Sequence, residues 1–361
     1  MTKDLEFCMK KQVSIRDVAR EAGVSPATVS YILNDTPNLS FTPETRERVL
    51  AAVEKLHYVA NQAAKTLGTC RVQQGVQSKL IGIVIPQTED NRKESHIMFS
   101  NPFYGMFLSA VELEVRKAGY HLIVSGTNPG QSYIDIVKSR TLDGVIILGA
   151  YPRSDVVEYK TYHIPAVLVD CYGIEDDYFY SVRTDDRLGG YTATKYLIEK
   201  GHRNIAIVTG EAKENGVNSV RLDGYKDALK EAGIPIERKN ILDGYVSYDF
   251  GQEAAKKIAE DRTITAVFAT SDIAAMGMIN GLKELGISVP EDVSVIGFDD
   301  VDYAKMCFPG LTTIRQNIFE KGKQAAQLMI TAAENHNLPH EERTIPICVV
   351  ERGTVKEFSW K

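Results

Sequence analysis

The chain has 361 residues, 43% of them hydrophobic, and a formal net charge of −6; that length and apolar share can bury more than one core, so two or three domains are expected. No apolar run approaches the roughly 18 residues of a membrane span, and the polar start MTKDLEFCMKK lacks the apolar region of a signal peptide. The five cysteines, Cys8, Cys70, Cys171, Cys307 and Cys348, are odd in number and show no CxxC spacing, so the expectation is a cytoplasmic protein with free thiols, no membrane partner and no metal site.

The charge is unevenly spread. Through Arg71 there are 10 Lys and Arg against 8 Asp and Glu, and beyond it 32 against 40. A basic end on an acidic body suits a module that faces phosphates, but this margin is small and the motifs carry the argument. Residues 1–12 read as a partly basic arm.

From Val13 to Asn34 the sequence VSIRDVAREAGVSPATVSYILN reads as two short helices joined by a tight turn. Ser14 and Asp17 form a capping-box-like pair, with Val13 placed to staple against Val18. Ile15, Val18, Ala19 and Ala22 recur at helical spacing, and Gly23 supplies the left-handed turn that ends the helix. Ser25 and Pro26 then start a second helix as cap and first residue, with Val29, Ile32 and Leu33 facing inward and Pro26, Ala27, Ser30 and Tyr31 facing outward. Thr42-Pro43-Glu44 starts a third helix, whose Val49, Leu50, Ala52, Val53 and Leu56 close a small core. Asn61 can cap a further short helix through about Gly68, and the polar stretch CRVQQGVQSK after it reads as a linker.

Beyond Leu80 the pattern changes to short apolar runs alternating with helical segments. LIGIVIP, YHLIVS, DGVIILG and IPAVLVD form one series; NIAIVTG, ITAVFAT and VSVIGF form a second, with helices near Leu188 to Lys200, Arg221 to Ala232, Phe250 to Glu260 and Ile273 to Leu285. Two doubly wound α/β lobes with parallel sheets are expected. Ligands of such sheets sit outside the carboxyl ends of the strands, which draws attention to Asp170, to Ser271 and Asp272, and to Asp299 and Asp300.

The run DVA, AGVS, TVS and ILN, the turn from Tyr58 to Asn61, and Ala63, Ala64 and Leu67 resemble a transcription factor of the lactose and galactose repressor (LacI/GalR) family, and the likeness covers nearly the whole chain. The resemblance implies a helix-turn-helix headpiece over residues 1–60, a hinge helix and linker over 61–79, and a type I periplasmic-binding-protein-like domain over 80–361. Its first lobe would comprise about 80–182 and 313–337, and its second about 183–312 and 338–361. The chain would cross between lobes near Val182 to Asp185, near Leu311 to Thr313 and after His336.

For DNA, the resemblance places Ser25, Thr28, Ser30, Asn34 and Tyr58 at phosphates and Pro26, Ala27 and Tyr31 at base edges. Asn61 would start a hinge helix that folds on DNA, with Leu67 wedged into the minor groove; packing of Leu67 on the headpiece is the structural alternative. Pro26 and Ala27 have no side-chain donor, and Tyr31 cannot grip a guanine with two bonds as an arginine would. An operator that departs from the usual family half-site opposite Tyr31 is therefore expected.

For a small-molecule effector, the resemblance carries over Phe103, Tyr104, Asp170, Arg221, Tyr245, Asp272 and Asp299, to which the strand-end argument adds Ser271. Carboxylates and a guanidinium that hold neighbouring hydroxyls, with aromatic faces over C–H surface, suit a sugar or nucleoside. The structural alternatives are core aromatics at helical spacing and an Arg221 paired with Asp223. The loop Asn91 to Ser100 reads as a surface insertion or a cover for the cleft mouth.

No GxGxxG follows the first strand, GxxxxGK[ST], GxSxG and HExxH are absent, and the seven histidines are scattered. His202 falls in a turn that the family treats as structural. The reading is a non-enzymatic, cofactor-free regulator, acting as a homodimer on palindromic operator DNA, since the tail TVKEFSWK lacks the apolar heptads of a helical tetramer. The other readings are a cytoplasmic receptor for a sugar or nucleoside without operator-specific DNA binding and, more distantly, a sugar-modifying enzyme.

Overall fold

The computed structural model describes residues 14–33, 41–56, 78–86, 101–127, 134, 142–149, 153–161, 164–174, 176–211, 216–335 and 339–359. Val13, Asn34, Tyr58, Asn61, Leu67, the loop Asn91 to Ser100, Cys8 and Cys70 lie outside the described residues. The chain divides into two compact units, Met1–Val76 and Gln77–Lys361.

In the first unit, α1 (Ile15–Ala22), α2 (Pro26–Leu33) and α3 (Pro43–Lys55) close around Val18, Ala19, Ala22, Val29, Ile32, Val49 and Ala52. The ends are fixed locally. The backbone N–H of Ser14 donates to Asp17 Oδ2 at 3.0 Å and its hydroxyl to the same oxygen at 2.6 Å. Gly23 takes φ of 65°, where a Cβ is disfavoured, and lets Val24 N–H reach back to the Ala19 carbonyl at 3.0 Å. Ser25 Oγ accepts from Thr28 N–H at 3.0 Å, and Thr42 Oγ1 accepts from Thr45 N–H at 3.3 Å. Lys55 at the end of α3 pairs with Glu21 of α1 at 2.6 Å.

The second unit contains two six-stranded sheets. The first runs in the order β11-β5-β4-β3-β1-β2, all parallel, from β1 (Leu80–Pro86), β2 (His121–Thr127), β3 (Gly144–Leu148), β4 (Ala166–Val169), β5 (Tyr180–Thr184) and β11 (Glu342–Ile345). The second runs β12-β10-β9-β8-β6-β7, from β6 (Ile205–Gly210), β7 (Ile241–Gly244), β8 (Ala266–Ala269), β9 (Ser294–Asp299), β10 (Thr312–Arg315) and β12 (Cys348–Val350). In this sheet β12 alone runs antiparallel to its neighbour.

Central strands buried on both faces need apolar residues at every position, and β3 and β8 are buried throughout. Ile146 and Leu148 of β3 face α4 (Pro102–Lys117) and α10 (Ile318–Glu334); Val145 and Ile147 face α5 (Arg153–Thr161). The second sheet is covered on one face by α6 (Asp186–Glu199) and α7 (Val217–Glu231), and on the other by α8 (Tyr248–Glu260) and α9 (Asp272–Glu284). Each of these helix pairs meets backbone to backbone. A Cβ on Gly190 would lie 2.1 Å from the Arg221 carbonyl oxygen and one on Gly224 2.0 Å from that of Arg187; one on Gly277 would lie 2.0 Å from that of Tyr248.

The chain passes from the first sheet to the second after β5 and crosses again after β10 and after β11. β10 still pairs with β9, so the second crossing lies at Gln316–Asn317 rather than near Leu311 to Thr313. β11 extends the first sheet beside β5, so residues 342–345 belong to the first lobe and the third crossing falls at Pro346–Ile347. These strands are short, and β11, at a sheet edge, buries only Ile345, so neither forms an apolar run that marks it in the sequence. Among the described residues no helix is long and apolar enough to cross a membrane, and no group of three or more His, Cys, Asp or Glu is placed to hold a metal.

Candidate nucleic-acid interface and ligand cleft

The outward face of α2 is the first candidate site. Val29 and Ile32 are buried, whereas Ser25, Pro26, Ala27 and Tyr31 are exposed, and Thr28 and Ser30 are half-buried. Two of the residues expected at phosphates also hold the helix start, since the hydroxyls of Ser25 and Thr28 lie 2.9 Å apart. The exposed surface is thus a small apolar platform, Pro26 and Ala27, followed one turn later by the phenol of Tyr31. Such a face packs on a thymine methyl and offers one hydroxyl to a base edge.

The second candidate site lies where strands of both lobes end. Asp170 follows β4, Asp299 ends β9, and Gln316 follows β10 in the second crossing. Asp170, Asp299 and Asp300 have φ of 51°, 121° and 58°, a left-handed backbone that costs roughly 1–3 kcal/mol for a residue with a Cβ and gathers at functional sites.

Two buried hydrogen-bonded chains run across the lobes. In the first, Tyr172 OH donates to Asp186 Oδ2 at 2.5 Å, and Arg221 Nε donates to Asp186 Oδ1 at 2.7 Å. Arg221 Nη1 also reaches the Thr270 carbonyl at 2.7 Å, and its guanidinium lies 3.7 Å from the centroid of the Phe298 ring. In the second, Lys321 of α10 donates to both oxygens of Asp170, at 2.8 and 2.7 Å, and to Gln316 Oε1 at 2.5 Å. Gln316 Nε2 then donates to Asp299 Oδ1 at 2.5 Å, while Thr184 Oγ1 donates to Gln316 Oε1 at 3.2 Å.

Burial dominates the electrostatics. It pushes the Asp299 carboxyl up from 3.8 to about 6, against the pull of Arg221 and of the Gln316 hydrogen bond. Asp170 is also raised by burial, with Lys321 opposing. For Arg221 burial acts downward, yet Asp186 and Asp299 more than offset it and the guanidinium is held above its ordinary value. Tyr104 is pushed up to about 12, first by burial and then by Tyr245, Asp299 and Asp170. Tyr245 of the second lobe, Asp299 and Asp170 thus all act on the phenol of Tyr104 in the first lobe.

Of the expected effector residues, the structure therefore gathers Tyr104, Asp170, Arg221, Tyr245 and Asp299. Phe103 stacks on Phe107 at 6.3 Å and meets the Tyr104 ring edge-on at 5.5 Å, with the Lys321 ammonium 5.8 Å from its own centroid. Arg221 does not pair with Asp223, which takes Lys226 instead.

Ser271 and Asp272 are engaged within the second lobe. Ser271 Oγ caps α9 by accepting from Ala274 N–H at 3.3 Å. Asp272 has no exposed surface, and its oxygens accept from Thr313 Oγ1 at 2.6 Å and Val301 N–H at 2.9 Å. A strand end that starts a helix puts a serine and an aspartate to use as cap and dipole partner, so these two serve the fold. Burial, then the Asp299 charge, pushes the Asp272 carboxyl well above its ordinary range.

The expectation omitted Tyr172, Asp186, Gln316 and Lys321. The last had a signal: Ile318, Lys321, Ala325, Leu328 and Ala332 share one helical stripe, and a lysine on a buried stripe requires a partner. His202 is structural as expected, fully buried, with Nδ1 2.9 Å from Thr265 Oγ1 and burial holding its imidazole down to about 4.

Comparison with known proteins follows the same division. Residues 14–61 match the model of bacterial regulatory proteins of the lacI family, and residues 194–355 match that of a periplasmic binding protein-like domain. The HTH-type transcriptional repressor PurR of Vibrio atlanticus is 33% identical over 356 residues, 96% of this chain and 99% of that one. Among solved structures, the transcriptional regulator CelR with cellobiose has a TM-score of 0.67 at 26% identity, covering 95% of this chain and 100% of that chain. A LacI family transcriptional regulator from Enterococcus faecium with bound ribose has a TM-score of 0.68 at 28% identity, covering 78% and 100%.

Proposed function

The chain belongs to the lacI family of bacterial regulatory proteins, and from that premise we propose a homodimeric transcriptional repressor whose hold on operator DNA is set by a sugar or related polyol between its two lobes. The observation that carries the DNA part is α2: a helix whose apolar residues complete a three-helix core while Pro26, Ala27 and Tyr31 are left exposed. Ser25, Thr28, Ser30, Asn34 and Tyr58 position the module on phosphates, and the outward face of α2 reads bases.

The sugar reading is supported by the cleft chemistry. Asp299 accepts and Arg221 donates, the pairing that grips a hydroxyl and its neighbour, with Tyr104, Phe103 and Tyr245 at its sides. Two of the similar structures hold ribose and cellobiose, which supports the same class here. A second copy of the chain is supported by Tyr303, Met306 and Phe308, which lie 53%, 66% and 100% exposed within six residues of the second lobe. Two headpieces related by a two-fold axis require a palindrome. Such a regulator works where the chromosome is, in the cytoplasm.

Effector and operator influence each other reciprocally, with a coupling of about 1–3 kcal/mol. The test is selection of bound duplexes from random DNA, with and without a mixture of sugars and nucleosides. A palindrome that strengthens or vanishes with one ligand supports the reading. No enriched sequence under any condition sinks it and favours a receptor without operator binding.

A further inference from the structure

Lys321 has no exposed surface, and a lysine is held there only when its charge is met. Its three donors are all used, two on Asp170 and one on Gln316. The neighbouring carboxylates are filled in the same way: Asp186 by Arg221 and Tyr172, Asp272 by Thr313 and Val301. Asp299 differs from all of them. One oxygen accepts from Gln316, and the other has no hydrogen-bond partner among the described residues yet is not sealed from solvent.

The charges follow. Asp272 spends both oxygens on Thr313 and Val301, so the carboxyls left to face the two cations Lys321 and Arg221 are Asp170, Asp186 and Asp299. Lys321 is taken by Asp170 and Arg221 by Asp186, which leaves Asp299, the carboxyl with the open oxygen, without a cation bonded to it.

We propose that Lys321 is a specificity-determining residue: by occupying both oxygens of Asp170 it leaves Asp299 as the recognising carboxylate, so the cleft takes neutral or cationic molecules rich in hydroxyl or amino donors and rejects phosphorylated or carboxylated ones. This rests on the cleft being the effector site. Without Lys321, Asp170 is a second open acceptor and the floor more negative. Without Asp170, Lys321 is a stranded cation that draws anions in.

Inorganic phosphate is the probe, added to the full chain at constant ionic strength and read by thermal melting. Phosphate leaves the wild type unshifted. Asp170→Asn keeps the shape of the site and strands Lys321, so its phosphate affinity rises by about tenfold or more over the wild type. The double variant Asp170→Asn, Lys321→Met removes both charges and rejects phosphate again. Should Asp170→Asn misfold, Asp299→Asn provides the second reading, because it removes the open charge with the Lys321 pair intact and also admits phosphate. Stabilisation of the wild type by phosphate overturns the proposal, as does a lack of gain in the folded single variants. Operator selection on the same wild-type preparation reports separately on the regulator reading, since a failure there with the expected phosphate pattern leaves the charge assignment standing.

Discussion

The outward face of α2 and the floor of the interlobe cleft are opposite ways to build a binding site. On α2 the functional candidates are the residues that the core leaves over: Pro26, Ala27 and Tyr31 are exposed, and the helix would fold as well without them. In the cleft the candidates are buried and bound to one another, so Arg221 or Asp170 cannot change without disturbing a neighbour. The difference teaches how each site tolerates change. A reading face can drift to a new operator at little cost in stability, whereas a cleft floor must change in charge-matched sets.

The comparison breaks most visibly at Asp186. Asp186→Ala strands the buried Arg221 guanidinium and removes one of the two acceptors of Tyr172, and loss of one partner of a buried pair costs about 3–5 kcal/mol. Urea denaturation of the variant is expected to show that loss; a cost under about 1 kcal/mol would mean that the pair is not buried in solution.

A smaller effect with a pH signature is expected at Asp299. Its folded value of about 6 lies above the ordinary 3.8, so the folded state binds the proton more tightly than the unfolded chain does. Its charged form is therefore penalised: the penalty is absent below about pH 4 and complete above about pH 7, reaching about 2–3 kcal/mol at most. Relative to Asp299→Asn, the wild type should lose stability as pH rises through that window. Parallel stability curves for the two proteins would contradict it.

On the reading face, Tyr31→Arg should leave the melting temperature within a degree or two and shift base preference at one position of each half-site by about 1–2 kcal/mol. Selection from random DNA checks this, and an unchanged consensus would remove Tyr31 from base readout. The smallest effect belongs to Ser25→Ala. It removes the cap of α2, at about 1 kcal/mol of headpiece stability, and weakens operator binding without altering its sequence preference.

The same contrast explains what the sequence revealed. Strands such as Gly144–Leu148 and Ala266–Ala269 are apolar at every position because both faces are covered, and they stand out. Thr312–Arg315 and Glu342–Ile345 do not, because short edge and crossing strands are read only through their partners. In the headpiece, caps and outward positions are local properties, and Ser25, Thr42 and Gly23 were legible from a few residues each. The cleft joins Asp170 to Lys321, 151 positions apart, and no local pattern specifies that pair. Asp272 is likewise opaque in the sequence: an acid just past a strand looks like a ligand, and its bonds to Thr313 and Val301 are seen only in the fold.

The near contact of glycine with backbone in the second lobe has a mechanical meaning. With Gly190 against Arg221 and Gly224 against Arg187, α6 and α7 meet at these positions with no side chain between their backbones to slide or compress. Arg221 is mounted at that contact, and Asp186 at its other end begins just past the first crossing. A tug on the guanidinium therefore finds no soft tissue in which to dissipate. It passes to the two helices together, and α6 begins one residue after the first chain crossing.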